Sequence, residues 1–148
     1  MVKYLEQDDF VNTAMPAMIT AGDVRAANTS GNAYIIDVRS ADAYNAGHIK
    51  NAHNVALGDV LTHVENADIG DNDKIIMVCY SGQEAGYATS LLRLSGYDNA
   101  YCLKFGMSAW HSEFSGPWSG NIGNGYSSQL VKEANAKNEA GELPELSV

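Results

Sequence analysis

The chain has 148 residues, a length that suits one domain of ordinary size with a tail. Apolar residues make up 45% and charged residues 18%, enough for a core, so a chain disordered throughout is excluded. Eighteen acidic against nine basic residues give a net charge of −9, which argues against nucleic acid and against an anionic membrane surface, since both need a cationic face.

Residues 1–16 are mixed and polar and read as an N-terminal arm or short helix, with Pro16 at the end. Thr20 then offers an N-cap for a helix to about Asn28, and Thr29 to Asn32 form a turn cluster. Ala33 to Val38 is a short apolar run rich in β-branched residues, the pattern of a strand buried on both faces. Ser40 caps a short helix to Ala46, Val55-Ala56 suggests a minor strand, and Leu57 to Val64 a further helix. Lys74 to Cys79 is a second buried strand. Gly86 to Ser95 predicts a helix with apolar residues at Tyr87, Leu91 and Leu94, with Ala88 and Leu92 beside them, stopped by Gly96. Ala100 to Leu103 is a third strand, and Met107 to Phe114 a last short helix. Strands alternating with helices predict an α/β domain with a central, mainly parallel sheet flanked by helices on both faces.

From Ser115 the chain turns rich in Gly and Asn and reads as a linker, followed by a surface helix over Ser127 to Ala140 and a loose end. The expected organisation is therefore an arm at 1–16, a domain at 17–118 and an extension at 119–148. No apolar run approaches the roughly 20 residues of a bilayer span, and no leader peptide opens the sequence. The compartment stays open between the cytoplasm and, after removal of a leader, the periplasm.

Two cysteines are too few for a disulfide framework, and they lack the CxxC spacing and His pair of a zinc site. Cys79 ends the most apolar strand, and Tyr80-Ser81-Gly82-Gln83-Glu84-Ala85 lead into a helix. Open parallel sheets bind ligands beyond the carboxyl ends of their strands. A strand–loop–helix turn there offers converging N–H groups and the positive end of a helix, which favour an anionic, nucleophilic sulfur. Cys102 lies inside a strand with no glycine loop behind it and reads as packing.

Four segments in order resemble the rhodanese family of sulfurtransferases, from about Ala17 to Phe114. Asp37-Val38-Arg39, with Asp42 and Tyr44, resembles its Asp-x-Arg segment. Gly47-His48-Ile49-Lys50-Asn51-Ala52-His53-Asn54 resembles Gly-His-Ile-Pro-Gly-Ala-x-Asn. Cys79 to Glu84 resembles the six-residue active loop. Gly106-Met107-Ser108-Ala109-Trp110 resembles the end of Gly-Gly-x-x-x-Trp. Lys50-Asn51 replace the Pro-Gly, and Phe105 replaces the first glycine of the last signature, changes expected to alter local turns and not the fold.

The resemblance implies a rhodanese-like three-layer domain and a two-step transfer with no metal or organic cofactor. Cys79 would take sulfane sulfur from a small sulfur-containing anion or polysulfide as a persulfide, and pass it to cyanide, a thiol or a protein acceptor. Tyr80, Ser81, Gly82, Gln83, Glu84 and Ala85 would surround the sulfur, with Asp37 and Arg39 bracing the site. His48 and His53 read as structural, because persulfide chemistry needs no general base. Glu84 departs from loops that carry cationic or small polar residues. No Lys or Arg lies between Lys74 and Arg93, so weak use of dianionic thiosulfate is expected. Phosphatase or arsenate-reductase chemistry wants Cys-x5-Arg, but the sixth residue after Cys79 is Ala85. The alternative from another class is a sulfur-carrier or protein-interaction module with little small-molecule turnover. The oligomeric state is left open.

Overall fold

Five parallel strands cross the middle of the molecule in the computed structural model, which describes residues 17–70 and 73–122. They are β1 (Met18–Ile19), β2 (Ala33–Asp37), β3 (His53–Asn54), β4 (Lys74–Val78) and β5 (Ala100–Leu103), in the spatial order β1-β5-β4-β2-β3. β4 is central, and its register runs from Ala33↔Lys74 to Asp37↔Val78 against β2 and from Ile75↔Ala100 to Met77↔Cys102 against β5.

Side chains alternate across the sheet, so one apolar run feeds two cores. Ile36, Ile75 and Met77 point to one face, where Val60 and Val64 of α3 (Val60–Asn66) and Ala85, Ala88 and Leu92 of α4 (Gln83–Leu94) cover them. Ile35, Ile76 and Val78 point to the other, where they meet Val24 of α1 (Ala21–Ser30) and Met107 of α5 (Gly106–Trp110). Tyr44 of α2 (Ala41–Ala46), Trp110 and Phe114 pack around that second core. Each fully buried isoleucine contributes about 1.5–3 kcal/mol relative to an exposed one. The three layers are those the alternating pattern predicts, and among the described residues no helix is long and apolar enough to cross a membrane.

The predicted caps form: the Thr20 side chain accepts from the Asp23 N–H at 3.2 Å, and the Ser40 side chain accepts from Ala43. Several boundaries differ, each for a tertiary reason. β1 is too short to leave a periodic signal and exists by pairing Met18↔Cys102 and Ile19↔Leu103. The minor strand is His53–Asn54 in place of Val55-Ala56, since the Asn54 amide donates to the carbonyls of Asp37 and Arg39 and pins that register. The helix expected from Leu57 opens as a 3-10 turn at Leu57–Asp59, before α3.

α4 starts three residues earlier than expected and buries Ala85, Ala88, Thr89 and Leu92, while Tyr87 and Leu94 are exposed. Three of those four buried residues, Ala85, Ala88 and Thr89, are small, so the core face gives a weak apolar pattern around Leu92. α5 breaks at His111, whose ring caps a 3-10 turn at Ser112–Phe114 by accepting from the Glu113 N–H. Gly116–Ser119, expected as linker, is a helical turn, α6. The expected arm at 1–16 and the helix expected over 127–140 lie outside the described residues.

Asn51 (φ 67°) and Phe105 (φ 63°) are the non-glycine residues with left-handed backbone among those described, and both stand where the resemblance has glycine. Asparagine tolerates that region; phenylalanine there costs about 1–2 kcal/mol.

Candidate active site

β4 ends one residue before Cys79, because the ladder to β2 stops at Val78 and the Cys79 carbonyl turns to α5 instead. The Met107 N–H donates to the Cys79 carbonyl at 2.8 Å, and the Ser108 N–H donates to the Tyr80 carbonyl at 3.1 Å. A trans peptide sets its N–H opposite its C=O. With both carbonyls drawn to the N-terminus of α5, the Tyr80 and Ser81 N–H groups turn the other way, away from that helix. Gly106 permits this close approach: a Cβ there would sit 2.4 Å from the Cys79 carbonyl oxygen.

Gly82, at φ 101°, takes a backbone conformation closed to most residues, and donates its N–H to Cys79 Sγ at 3.1 Å. It is also the N-cap of α4. The Gly86 N–H donates to the Gly82 carbonyl as the first bond of that helix, so the N–H groups of Gln83, Glu84 and Ala85 have no partner within it. Gln83, Glu84 and Ala85, expected as loop, are thus the first helical turn, with the positive end of α4 beside the sulfur.

Cys79 is the floor of a cleft of about 250 Å³, with Tyr80, Ser81, Gln83 and Glu84 on one side. Pro117 and Asn121, at and just after α6, form the far side. Glu84 is exposed and reaches the cleft; Ala85 does not, because its methyl is buried in the core under α4. Gly82 acts from behind the wall through its N–H.

Asp37 and Arg39 are buried, 0% and 2% exposed, and do not touch Cys79. Arg39 Nη2 donates to Asp37 Oδ2 at 2.7 Å, its Nε donates to both carboxylate oxygens, and Nη2 also reaches the Gly47 carbonyl. Its guanidinium lies 5.8 Å from the Tyr80 ring centre and 5.3 Å from that of Phe114. The Tyr80 hydroxyl in turn meets Ser40 Oγ at 3.1 Å. The pair therefore meets the loop at the Tyr80 ring from a buried position. Losing one partner would leave a buried charge alone, a cost of about 3–5 kcal/mol.

Cys102 is buried in β5 and its thiol is directed to the Gly82 carbonyl at 3.4 Å. Burial pushes this thiol up to about 12, and the neighbouring Cys79 acts in the same direction. His48 stacks on Tyr44 and its Nδ1 meets the Tyr44 carbonyl at 2.9 Å, away from the cleft. His53 stacks on Tyr34 at the β3 edge, and the Tyr34 hydroxyl meets His63 Nε2 at 2.9 Å; burial raises the Tyr34 hydroxyl above its ordinary value. A larger cleft of about 1000 Å³ opens there, but no thiol lines it, so the chemistry favours the smaller one. The residues missed by sequence reasoning are Ser108, Pro117 and Asn121. Pro117 in a first helical turn after Ser115 was the available signal for α6.

The rhodanese-like domain family model matches residues 20–113, and the chain belongs to that family. A thiosulfate sulfurtransferase GlpE of Shewanella oneidensis is 34% identical over 77 residues, covering 52% of this chain and 74% of the relative. The adenylyltransferase and sulfurtransferase uba4 of Ogataea parapolymorpha is 29% identical over 77 residues, 52% of this chain but 20% of that protein. Among solved structures, the human single-domain sulfurtransferase TSTD1 aligns with a TM-score of 0.53 at 21% identity, covering 72% of this chain and 98% of that one, a likeness of fold.

Proposed function

We propose that this protein is a sulfurtransferase that carries sulfane sulfur on Cys79. The observation that carries the reading is the Gly82 N–H donated to Cys79 Sγ at the head of α4, beyond the end of a central parallel strand. That donor, with the positive end of α4 beside it, supports an anionic sulfur before and after transfer, as an oxyanion hole supports oxygen. With thiosulfate, the Cys79 thiolate attacks the outer sulfur. The Cys79 S–S bond forms, the donor S–S bond breaks, and sulfite leaves with the bonding pair, giving a persulfide anion. A thiophilic acceptor such as cyanide then removes the outer sulfur as thiocyanate, and the thiolate returns. Polysulfide serves as donor in the same way, with a shorter polysulfide leaving.

The family match and the names of its relatives support sulfur transfer over phosphoryl transfer. The loop has no arginine to stabilise a phosphoryl group, and Arg39 is committed to Asp37 and Gly47. Delivery to a protein acceptor is the second reading, favoured by the match to one fifth of a larger adenylyltransferase and sulfurtransferase.

The test is intact mass after brief exposure to thiosulfate, and separately to polysulfide, for the protein and its Cys79→Ser variant. A gain of one sulfur (about 32 Da), absent from the variant, is expected. Thiocyanate production at rates well above background then distinguishes an enzyme from a carrier. No gain from either donor would end the sulfur-transfer reading.

A further inference from the structure

α6 lies beyond the matched residues 20–113, yet Pro117 and Asn121 wall the Cys79 cleft. It is anchored rather than merely adjacent. The Trp118 ring packs on Phe105 with centroids 4.5 Å apart at 51°, and the Asn121 Nδ2 donates to the Pro117 carbonyl at 2.6 Å. Phe105 holds its left-handed backbone one residue before Gly106, the residue against the Cys79 carbonyl. The aromatic clamp therefore ties the far wall to the same turn that orients the loop.

The walls specify a ligand. Of the described residues lining the cleft, Glu84 is the one charged side chain, and Ser81, Gln83 and Asn121 add uncharged polar groups. A volume of about 250 Å³ is some eight water volumes, below the range of about 300–1,000 Å³ that takes drug-sized ligands. The Gly82 N–H is directed at the Cys79 sulfur, and the Glu84 carboxylate and the Asn121 amide line the rest of the cleft.

Resting on the sulfur-transfer reading above, we propose that α6 and Glu84 make this cleft selective for a small persulfide that bears an ammonium group, with the ammonium on Glu84 and the amide of Asn121 against the donor's body. The Cys79 thiolate attacks the terminal sulfur of R–S–SH. The Cys79 S–S bond forms, the donor S–S bond breaks, the proton stays on the transferred sulfur, and R–S⁻ leaves with the bonding pair. With the ammonium of R counted, the total charge is zero on both sides. Pro117, Asn121 and the Phe105–Trp118 clamp are then specificity determinants supplied from outside the matched domain.

The experiment compares two probes of similar size on the full chain: cysteamine persulfide, with an ammonium, and 3-mercaptopropionate persulfide, with a carboxylate. The rate of sulfur gain on Cys79 is read by quenched intact mass at low salt. About a tenfold preference for cysteamine persulfide is expected, because one carboxylate attracts one probe and repels the other. Glu84→Gln should bring the preference below about threefold, and 0.5 M salt should reduce it. Trp118→Ala and Phe105→Gly, the second of which relieves backbone strain, should each slow cysteamine persulfide about three- to tenfold by releasing the wall. Equal rates for the two probes, or a preference that survives Glu84→Gln, would overturn the proposal and leave sulfur transfer standing. Unchanged rates in both clamp variants would overturn the part given to α6. No sulfur gain from these probes, thiosulfate or polysulfide would overturn both readings.

Discussion

The two cysteines stand on either side of Gly82 and meet its opposite hydrogen-bonding groups. Both are buried, Cys79 at 1% and Cys102 at 2% exposure. Gly82 donates its N–H to Cys79 Sγ, whereas its carbonyl faces the Cys102 thiol as an acceptor. A sulfur that receives a hydrogen bond is supported as an anion; one that donates must keep its proton. Cys79 has also left the sheet and borders a cleft, while Cys102 remains in β5 with the core on one side of it. The two sulfurs differ in which group of Gly82 each meets, not in depth.

The largest expected effect breaks the pair apart. Cys79→Ser should lower sulfur loading on the order of a thousandfold, and Cys102→Ser by less than about fivefold, read by intact mass. Comparable losses in the two variants would mean that both sulfurs take part. Next is Gly106→Ala, whose methyl would meet the Cys79 carbonyl at 2.4 Å. Displacing the loop by that clash should reduce loading on the order of a hundredfold. A near-normal rate would show that the carbonyl contacts to α5 do not set the donor geometry.

Glu84→Arg should raise loading from thiosulfate about tenfold, by replacing a repulsive charge at the cleft with an attractive one. An unchanged or lower rate in a folded variant would remove the electrostatic account of this loop.

The pH dependence is smaller and belongs to Cys102. Its folded value, about 12, lies above the ordinary thiol range, so the folded state holds the proton longer than the unfolded state does. That contribution is complete below about pH 9 and is lost as pH rises toward 12, with a slope of at most about 1.4 kcal/mol per pH unit. Denaturant unfolding at pH 8 and pH 10 should show a fall in stability that Cys102→Val reduces. The smallest effect is a control on the core under α4, where the buried Thr89 hydroxyl has no hydrogen-bond partner among the described residues. Thr89→Val should raise stability by about 0.5–1 kcal/mol and leave the contrast between the cysteines intact.

Much of the domain could be read in advance because its signals are local. Ile35, Ile36, Ile75 and Ile76 lie in runs that only a doubly covered strand accommodates, and Thr20 and Ser40 are caps that act within three residues. Cys79 at a strand end, with Gly82 behind it, was legible for the same reason. Other features carried no local signal. β1 is two residues long, the buried face of α4 sets the small side chains of Ala85, Ala88 and Thr89 beside a single leucine, Leu92, and α6 sits in a stretch whose composition suggests a linker. The buried setting of the Asp37–Arg39 pair, and its reach to Tyr80 and Phe114, also depended on elements far apart in the chain.

What the sequence by itself determined was the alternation of strands and helices, the place of Cys79 at the end of the most apolar strand, and the acidic side chain beside it. Periodicity, capping and turn chemistry act over a few residues, so they survive in one dimension. What only the tertiary structure decided was which N–H groups meet which sulfur, and what closes the cleft opposite Glu84. The Cys79 and Tyr80 carbonyls are held by Met107 and Ser108, and Pro117 and Asn121 arrive at the site through a ring contact between Phe105 and Trp118. Those contacts join segments separated by more than ten residues, and their partners are chosen by packing rather than by neighbours in the chain.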